Sequence, residues 1–404
     1  MKRISMRYSF QLTVLAISLL KILYAVSRPL FYSGPDANGY IPAALAFAKL
    51  GYFSEGIPFL PIYPPGYPIA LSILVRIFGD NWIYAAQVAQ IFLYALAVLL
   101  VWEILKFYFP KHIADISAYL LILSPGWFVV NGEAMYETLL FFYLTVSIYF
   151  FLNIKVINKR NGMSLFIGCS FSVLAISTHP RILIVFVFLL LTYIHSSRKD
   201  LKRILPAISL SVFINLIGVT LLGYLSVLRT GVFTLSSAFW PSMTNNRVLG
   251  SCTEISCVAH KIFSDPFDFL RECALNFGAF WSPHSGSLAI GSWFHNISLL
   301  AQLEKFGWPR LALILGMAIT FIVIGSWLFG SVRLWQKYRN SAFAFTFLTS
   351  FGFLSTDMLV YGDNRHRLIA LVFMVPAHAA SLSTFVQACR SSAFKNLRRK
   401  VGNL

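Results

Sequence analysis

The sequence predicts an all-α protein that crosses a lipid bilayer many times. Hydrophobic residues make up 57% of its 404 positions and charged residues only 12%, whereas a soluble domain carries about 25% charged residues. Apolar stretches recur from near residue 10 to near residue 387. We therefore expect one polytopic membrane domain rather than several soluble domains.

A membrane-spanning helix requires about 20 mostly apolar residues, and about ten segments approach that length. The first segment follows a basic start, and its apolar run continues towards Tyr32, so we expect a retained anchor rather than a cleaved signal peptide. The expected spans are 10–32, 82–105, 113–130, 134–153, 163–178, 181–195, 204–225, 310–332, 341–361 and 367–387.

Basic residues set the predicted orientation of these spans. The chain has a formal net charge of +18, and its Lys and Arg residues cluster in gaps between spans, which is the positive-inside pattern. The clusters are 2–7, 155–160, 198–203, 333–339 and 390–400. Both termini are therefore expected in the cytoplasm. A nucleic-acid partner is disfavoured because no recognition motif accompanies the charge.

The acidic residues support this orientation, because most of them lie on the side opposite to the basic clusters. Of the 15 acidic residues, all but Glu103, Asp115 and Asp200 fall outside or near the outer boundary of the predicted spans. A carboxylate is costly near lipid and usually has a functional task there. The chemistry is therefore expected on the extracytoplasmic face.

Two helices are predicted to lie in the membrane interface rather than to cross it. The first covers 36–53 and ends at Gly51; the second covers 265–281, with Asp265 as its cap and Pro266 in its first turn. They belong to the first extracytoplasmic loop, 33–81, and the long extracytoplasmic loop, 226–309. The predicted organisation is one membrane domain, 1–390, followed by a basic cytoplasmic tail, 391–404.

The five cysteines give no metal-binding pattern. Cys252 and Cys257 share a polar outer segment, where a disulfide and two free thiols are equally consistent with the sequence.

Asp36 is the first candidate catalytic residue. It lies just beyond the outer end of the first span, in SGPDANGY. A cap for the following helix is the simpler interpretation, but a carboxylate held above the membrane can also accept a proton from an acceptor hydroxyl.

Glu137 and Glu133 are the next candidates, in NGEAMYETLLFF at the start of the predicted fourth span. They would share one helical face if that helix began at residue 133, and two carboxylates this close raise one pKa by repulsion. Glu133 could equally be a solvated turn residue.

Three arginines are predicted at outer turns from distant parts of the chain. Arg181 follows THP, and Arg365 and Arg367 lie in YGDNRHRLIA. Such arginines often only extend towards the interface, but a shared rim of three would suit a phosphate. His179 lies beside this set as a candidate substrate-lining residue.

Aromatic residues of the first outer loop could line a sugar or lipid path. Tyr63 and Tyr67 lie in the rigid stretch PFLPIYPPGYP, and membrane-interface belt positions explain them equally well. Tyr40, on the predicted interfacial helix, is a further substrate-lining candidate.

The order of these motifs resembles the GT-C superfamily of membrane glycosyltransferases. The branch concerned includes protein O-mannosyltransferases and the lipid A aminoarabinose transferase. The resemblance covers most of 10–387 and rests on Asp36 before an Ala-rich helix, YPPGYP, YETLLFF, the H-P-R turn, DPFDFL…FWSP and GDNRHR. It departs from the protein mannosyltransferases at Ala37, because that family carries an adjacent Asp-Glu pair. Protein O-mannosylation is therefore disfavoured.

The resemblance implies an inverting hexosyl or pentosyl transfer in cell-envelope glycan or glycolipid synthesis. The donor would be a polyprenyl-phosphate sugar and the acceptor a hydroxyl of a glycan or glycolipid. Asp36 would be the base, Glu137 the second acid, and Arg365 or Arg367 the residue near the donor phosphate. No cofactor is required, although a carboxylate-rich rim could hold a divalent metal. The compact loops favour a bacterial inner membrane location, and the endoplasmic reticulum is the alternative.

A transporter or flippase of a lipid-linked glycan is the alternative function. Transporters commonly show paired halves with polar residues near the middle of the membrane. Here no repeat is evident, and the ionisable residues gather at one rim. The sequence therefore favours the transferase.

Overall fold

The computed structural model describes the chain in twelve segments, and all statements below concern these residues. They are 2–27, 30–32, 37–51, 64–124, 126–153, 161–179, 182–196, 201–230, 255–281, 307–338, 349–352 and 366–401.

Fourteen α-helices and no strand occur within these segments, which confirms the predicted all-α class. The helices are α1 Lys2–Val26, α2 Ala37–Leu50, α3 Gly66–Phe78, α4 Trp82–Tyr108, α5 Lys111–Ile122, α6 Gly126–Val130, α7 Glu137–Asn153, α8 Asn161–Thr178, α9 Ile182–Ser196, α10 Leu201–Thr230, α11 Ile255–Ser264, α12 Pro266–Trp281, α13 Pro309–Tyr338 and α14 His366–Val401.

The two predicted interfacial helices are present with the expected end signals. Helix α2 stops before Gly51, whose φ of 75° is a left-handed conformation that glycine adopts without steric cost. Helix α12 begins at Pro266, and the Asp265 carboxylate accepts a hydrogen bond from the backbone N–H of Asp268 at 3.1 Å. Local sequence chemistry therefore defines both boundaries.

The chain reverses direction between α3 and α4. The Tyr67 hydroxyl, near the start of α3, donates to Gln90 in the third turn of α4 at 2.7 Å, and the turn between the helices contains Gly79 with a φ of 53°. Residues 66–78 thus form a helix that folds back on the bundle, although the sequence placed them in an extracytoplasmic loop.

The predicted span 113–130 is two shorter helices, α5 and α6. Pro125 lies between them in the sequence. A proline lacks the backbone donor that a helix needs and disfavours helical geometry at the preceding residue. The prediction of one continuous span was therefore wrong here.

Three described segments are long and apolar enough to cross a membrane: Gly66–Tyr108, which includes the α3–α4 reversal, Met317–Lys337 and Leu368–Cys389. Shorter apolar helices are Phe10–Val26, Glu137–Phe150, Phe166–Thr178 and Val212–Leu221. The count of about ten spans stays a prediction, and the predicted span 341–361 lies mostly outside the described residues.

Helices α13 and α14 form a close pair through small residues. A side-chain carbon added at Gly330 would collide with the carbonyl oxygen of Ala377. Nearby, the Ser381 hydroxyl donates to the carbonyl of Ser326 at 2.7 Å, and the Ser326 hydroxyl lies 2.8 Å from Nδ1 of His378. Small residues and short polar contacts of this kind hold membrane helices together.

The described part of the long loop contains α11 and α12, which pack against each other. Cys257 in α11 is disulfide-bonded, and its predicted partner Cys252 lies outside the described residues. At the other end of the chain, α14 runs through residue 390 without a break, so no change in backbone structure marks the predicted tail boundary.

Candidate functional site

A buried amide joins three parts of the bundle at its predicted outer end. Gln90 of α4 accepts the Tyr67 hydroxyl hydrogen bond and donates to the carbonyls of Asn131 and Glu133, at 3.0 and 2.9 Å. Gln87, one turn earlier, donates to the carbonyl of Gly132 at 3.0 Å. Since amides inside a membrane bundle need internal partners, these contacts fix the turn before α7 against α3 and α4.

The same turn is held from two further directions. The Thr138 hydroxyl in the first turn of α7 donates to Oδ1 of Asn131 at 2.8 Å. The backbone N–H of Ala134 donates to the carbonyl of Phe31 at 3.0 Å, which ties in the short 3-10 turn Leu30–Tyr32 after α1. The turn 131–136 is thus a built part of the core.

Glu137 lies in this frame as the first residue of α7, with a side chain that is 0% exposed. Its carboxylate is close enough to the Tyr67 hydroxyl for an electrostatic interaction. Burying a carboxylate is costly unless it is paired or used. Its position at a helix N-terminus, where backbone N–H groups favour negative charge, offsets part of that cost.

Glu133 is also buried, with 6% of its surface exposed. The alternative that it is only a solvated turn residue is therefore wrong. Because α7 begins at Glu137, the two carboxylates do not share one helical face as they would if the helix began four residues earlier. The structure brings both acids to the same turn by backbone geometry instead.

An aromatic series borders the two acids. Tyr40 of α2 packs edge-on against Tyr67 at 5.0 Å and against Tyr136 at 6.2 Å between ring centroids. Tyr136 stacks on His179 at 4.9 Å. Tyr40 and Tyr67 are 2% and 1% exposed, so neither is a membrane-facing belt residue. Together they form a wall of rings and hydroxyls next to Glu137.

A close backbone approach positions α3 in this wall. A side-chain carbon at Gly66 would lie 2.7 Å from the hydroxyl oxygens of Ser177 and Thr178 and 2.8 Å from the backbone of Ser177. Only glycine allows the start of α3 to contact the end of α8 so closely. This contact brings Tyr67 and His179 to one end of the bundle.

A buried cation lies deeper in the same core. Lys21 of α1 is 1% exposed, and its Nζ lies 4.0 Å from the centroid of the Tyr94 ring. Tyr94 follows Gln90 by one turn of α4 and packs against Trp127 at 4.8 Å. A lysine within an apolar span is costly and marks a functional region. It was not among the candidates drawn from the sequence.

The structure thus brings together five predicted site residues: Tyr40, Tyr67, Glu133, Glu137 and His179. Asp36, Tyr63, Arg181 and Arg365 lie outside the described residues, and of Arg367 only the backbone, in the first turn of α14, is described. The roles of all ten residues stay predictions.

Sequence reasoning missed Gln87, Gln90, Asn131 and Tyr136. A signal for the first two was present, because they are the two amides of the predicted span 82–105 and lie three residues apart on one helical face. For metal binding, the described residues contain no group of three or more His, Cys, Asp or Glu side chains in ligating range.

The fold defines the class of protein. The chain is an integral membrane protein with the fold of the GT-C glycosyltransferase superfamily, which confirms the predicted resemblance. Residues 63–247, which contain the Tyr67–Gln90–Glu137 cluster, match the family model of dolichyl-phosphate-mannose-protein mannosyltransferases.

Particular solved structures are similar to this chain. The archaeal oligosaccharyltransferase AglB from Archaeoglobus fulgidus, in complex with an inhibitory peptide and a dolichol-phosphate, is 16% identical, with a TM-score of 0.51 over 95% of this chain and 52% of that chain. The apo form of the Archaeoglobus fulgidus enzyme gives 0.50 with the same identity and coverage. ArnT from Cupriavidus metallidurans bound to undecaprenyl phosphate gives 0.47 at 16% identity, over 92% of this chain and 77% of that one.

The chain spans about half the length of the archaeal enzyme that it matches. A comparison with curated protein sequences gives no significant match.

Proposed function

We propose that the chain is a glycosyltransferase that moves a sugar from a polyprenyl-phosphate donor to an acceptor hydroxyl on the extracytoplasmic face of its membrane. The acceptor would belong to a cell-envelope glycan or glycolipid. The observation that carries the proposal is the fully buried Glu137, which interacts electrostatically with the Tyr67 hydroxyl inside the matched segment 63–247.

Glu137 has the surroundings of an orienting group. The hydrogen bonds of Gln90 and Thr138 hold the turn that precedes it, so its carboxylate need not reorganise when substrate binds. A preorganised acceptor of this kind stabilises a transition state more than a solvated one does. In our mechanism, Glu137 accepts a hydrogen bond from a sugar or acceptor hydroxyl.

Asp36 is the proposed general base, immediately before α2 in the sequence. It takes the proton of the acceptor hydroxyl while the acceptor oxygen forms a bond to the anomeric carbon. The bond from that carbon to the donor phosphate oxygen breaks, and the phosphate leaves with the bonding electrons. Attack opposite to the leaving group inverts the anomeric configuration.

The donor phosphate would bind to Arg365, Arg367 and Arg181. A guanidinium group donates two parallel hydrogen bonds to phosphate oxygens and stays charged at any physiological pH. Such groups favour departure of the phosphate because negative charge builds on it in the transition state. The isoprenoid tail would lie in the bilayer beside the bundle, and the organisation would be one membrane domain, 1–390, in a bacterial inner membrane with both termini cytoplasmic.

The test is transfer from a radiolabelled polyprenyl-phosphate sugar by the purified full-length chain, screened over several sugars. Asp36→Asn is expected to lower the rate by about a hundred- to ten-thousand-fold, because it removes the general base. Asp80→Asn is the matched control, since Asp80 is exposed and lies in the α3–α4 turn. Near-normal transfer by Asp36→Asn would remove Asp36 from the mechanism. Movement of a lipid-linked glycan without any transfer would favour the transporter alternative.

A further inference from the structure

A polar pocket lies at the end of the bundle opposite to Glu137. It has a volume of about 330 Å³ and is formed by the start of α5, the end of α13 and the middle of α14. Helix α4 runs from the Gln87–Gln90 end to this end, and its stretch from Gln90 to Tyr108 corresponds to about 27 Å at 1.5 Å per residue. The pocket is therefore separate from the candidate active site.

The pocket is lined by cations and side-chain hydrogen-bond donors. Arg333 and Lys337 lie on one face of α13, and His112 lies at the start of α5. Gln336 and Gln387 contribute side-chain amides, and Ser383 contributes a hydroxyl. No carboxylate is among the lining residues. Asp115, one turn after His112, instead accepts a hydrogen bond from Nε1 of Trp102 at 2.8 Å. The lining thus matches an anion with several acceptor oxygens.

Two contacts show how the lining is held. The Arg333 guanidinium lies 5.1 Å from the centroid of the Phe329 ring, one turn earlier on α13, which restrains its side chain. The Thr384 hydroxyl donates to the carbonyl of Ala380 at 2.8 Å, so its proton is already used. Arg333, the two amides and Ser383 face the pocket as hydrogen-bond donors, and Lys337 adds a positive charge to its lining.

Exposed apolar side chains precede this pocket along α13. Phe321, Ile322, Leu328 and Phe329 are exposed large hydrophobic residues that lie about one to three turns before Arg333. They belong to the candidate span Met317–Lys337, and the pocket lies at the end of that span. In a membrane these side chains would face acyl chains, while the basic pocket would lie at the level of the head groups.

We propose that this pocket binds the phosphate head group of an anionic phospholipid of the cytoplasmic leaflet. A phosphodiester supplies acceptor oxygens to Arg333 and the amides beside the positive charge of Lys337, and its acyl chains lie along the exposed apolar side chains of α13. A soluble phosphate shares the head-group chemistry but would gain nothing from those apolar side chains. Basic pockets between membrane helices on the cytoplasmic side commonly hold such head groups.

The test is native mass spectrometry. The full-length chain in detergent is mixed with equal amounts of phosphatidylglycerol and phosphatidylcholine, and the lipid that stays bound after release from the detergent is measured. We expect the protein to retain phosphatidylglycerol about tenfold more than phosphatidylcholine, and Arg333→Gln/Lys337→Gln to lose that preference. The control variant Lys111→Gln/Arg310→Gln removes two charges from exposed positions outside the lining and is expected to keep it.

Three results would overturn the proposal: equal retention of both lipids by the wild type, an unchanged preference in Arg333→Gln/Lys337→Gln, or an equal loss in the control variant. Displacement of phosphatidylglycerol by millimolar inorganic phosphate would overturn the assignment to a lipid. The single variants Arg333→Gln and Lys337→Gln are expected to give intermediate losses, which keeps the test decisive if the double variant does not fold.

Discussion

The two ends of the bundle hold charge in different ways. At the predicted outer end, Glu133 and Glu137 are buried next to a turn that Gln87, Gln90 and Thr138 fix by hydrogen bonds. At the predicted inner end, Arg333 and Lys337 are exposed and line an open pocket. The outer end fixes carboxylates within a rigid frame, whereas the inner end offers cations to a ligand from the surroundings.

This difference has an energetic basis. A buried carboxylate costs several kcal/mol of desolvation (about 3–5 kcal/mol when its partner is lost), so the two outer acids depend on the fixed surroundings that the turn before α7 provides. An exposed cation near anionic lipid carries no such cost and contributes about 1 kcal/mol of attraction. The outer end is therefore suited to chemistry, and the inner end to reversible binding.

The largest expected effect is on activity at the outer end. Glu137→Gln should lower sugar transfer by about a hundredfold or more, because it removes a preorganised charged acceptor. Glu103→Gln makes the same chemical change at the inner end, where Glu103 is a partly exposed partner of Lys106 at 2.6 Å, and should leave transfer unchanged. Equal losses in both variants, at matched protein levels, would mean that the outer carboxylate has no special role.

The next effect is on stability towards the inner end. Gly330→Ala should destabilise the protein by about 3 kcal/mol, because the new carbon cannot fit against the Ala377 carbonyl without separating α13 from α14. Gly325→Ala, on the same helix, adds a carbon with nothing within 4 Å and should be neutral or slightly stabilising. Denaturation in mixed detergent measures both, and similar midpoints for the two variants would contradict the close α13–α14 contact.

A smaller effect is expected from the amide at the outer end. Gln90→Leu removes the acceptor of the Tyr67 hydroxyl and one donor to each of the Asn131 and Glu133 carbonyls, which should cost about 2 kcal/mol of unfolding free energy. Tyr67→Phe leaves the contacts between Gln90 and the two carbonyls in place and should cost about 1 kcal/mol. If Tyr67→Phe/Gln90→Leu loses no more unfolding free energy than Gln90→Leu alone, the two side chains interact as described. If the losses of the two single variants add up in the double variant, their hydrogen bond is contradicted.

The smallest expected effect is at Arg76 of α3. Its guanidinium donates to the carbonyls of Ala48 and Phe47 at the end of α2, at 2.9 and 3.0 Å. A cation at a helix C-terminus is stabilising, so Arg76→Gln should cost about 1 kcal/mol. Lys49→Gln removes a charge from the same helix end without a described contact to those carbonyls, and should cost less in the same denaturation assay.

Local features of the fold could be predicted from sequence, whereas long-range contacts could not. The ends of α2 and α12 follow from Gly51 and Asp265, whose effects act within one turn of the chain. The α3–α4 reversal was missed because the prolines and tyrosines before α3 suggested a rigid loop. Its stabilising partner, Gln90, is 23 residues away from Tyr67, and no sequence pattern states that pairing.

The candidate site shows the same limit. Glu137 and Tyr67 could be selected because an acid at a span boundary and an aromatic, proline-rich stretch are unusual in themselves. Gln87 and Gln90 donate hydrogen bonds to backbone carbonyls 41 to 45 residues later in the chain. Because every residue has the same backbone carbonyl, the sequence does not mark these acceptors. Tertiary structure alone gives those amides their role.

The central claim is that Asp36, Glu137 and Arg365 face the same side of the membrane. It is tested most directly by labelling intact cells with a membrane-impermeant maleimide. Asp36→Cys and Arg365→Cys are made one at a time. The native Cys389 is exposed and serves as the marker of the predicted cytoplasmic face. We predict that positions 36 and 365 react from outside, as an Asn81→Cys reporter in the α3–α4 turn does, while Cys389 reacts only after permeabilisation. If position 36 or position 365 reacted only after permeabilisation, as Cys389 does, a shared catalytic pocket would be contradicted.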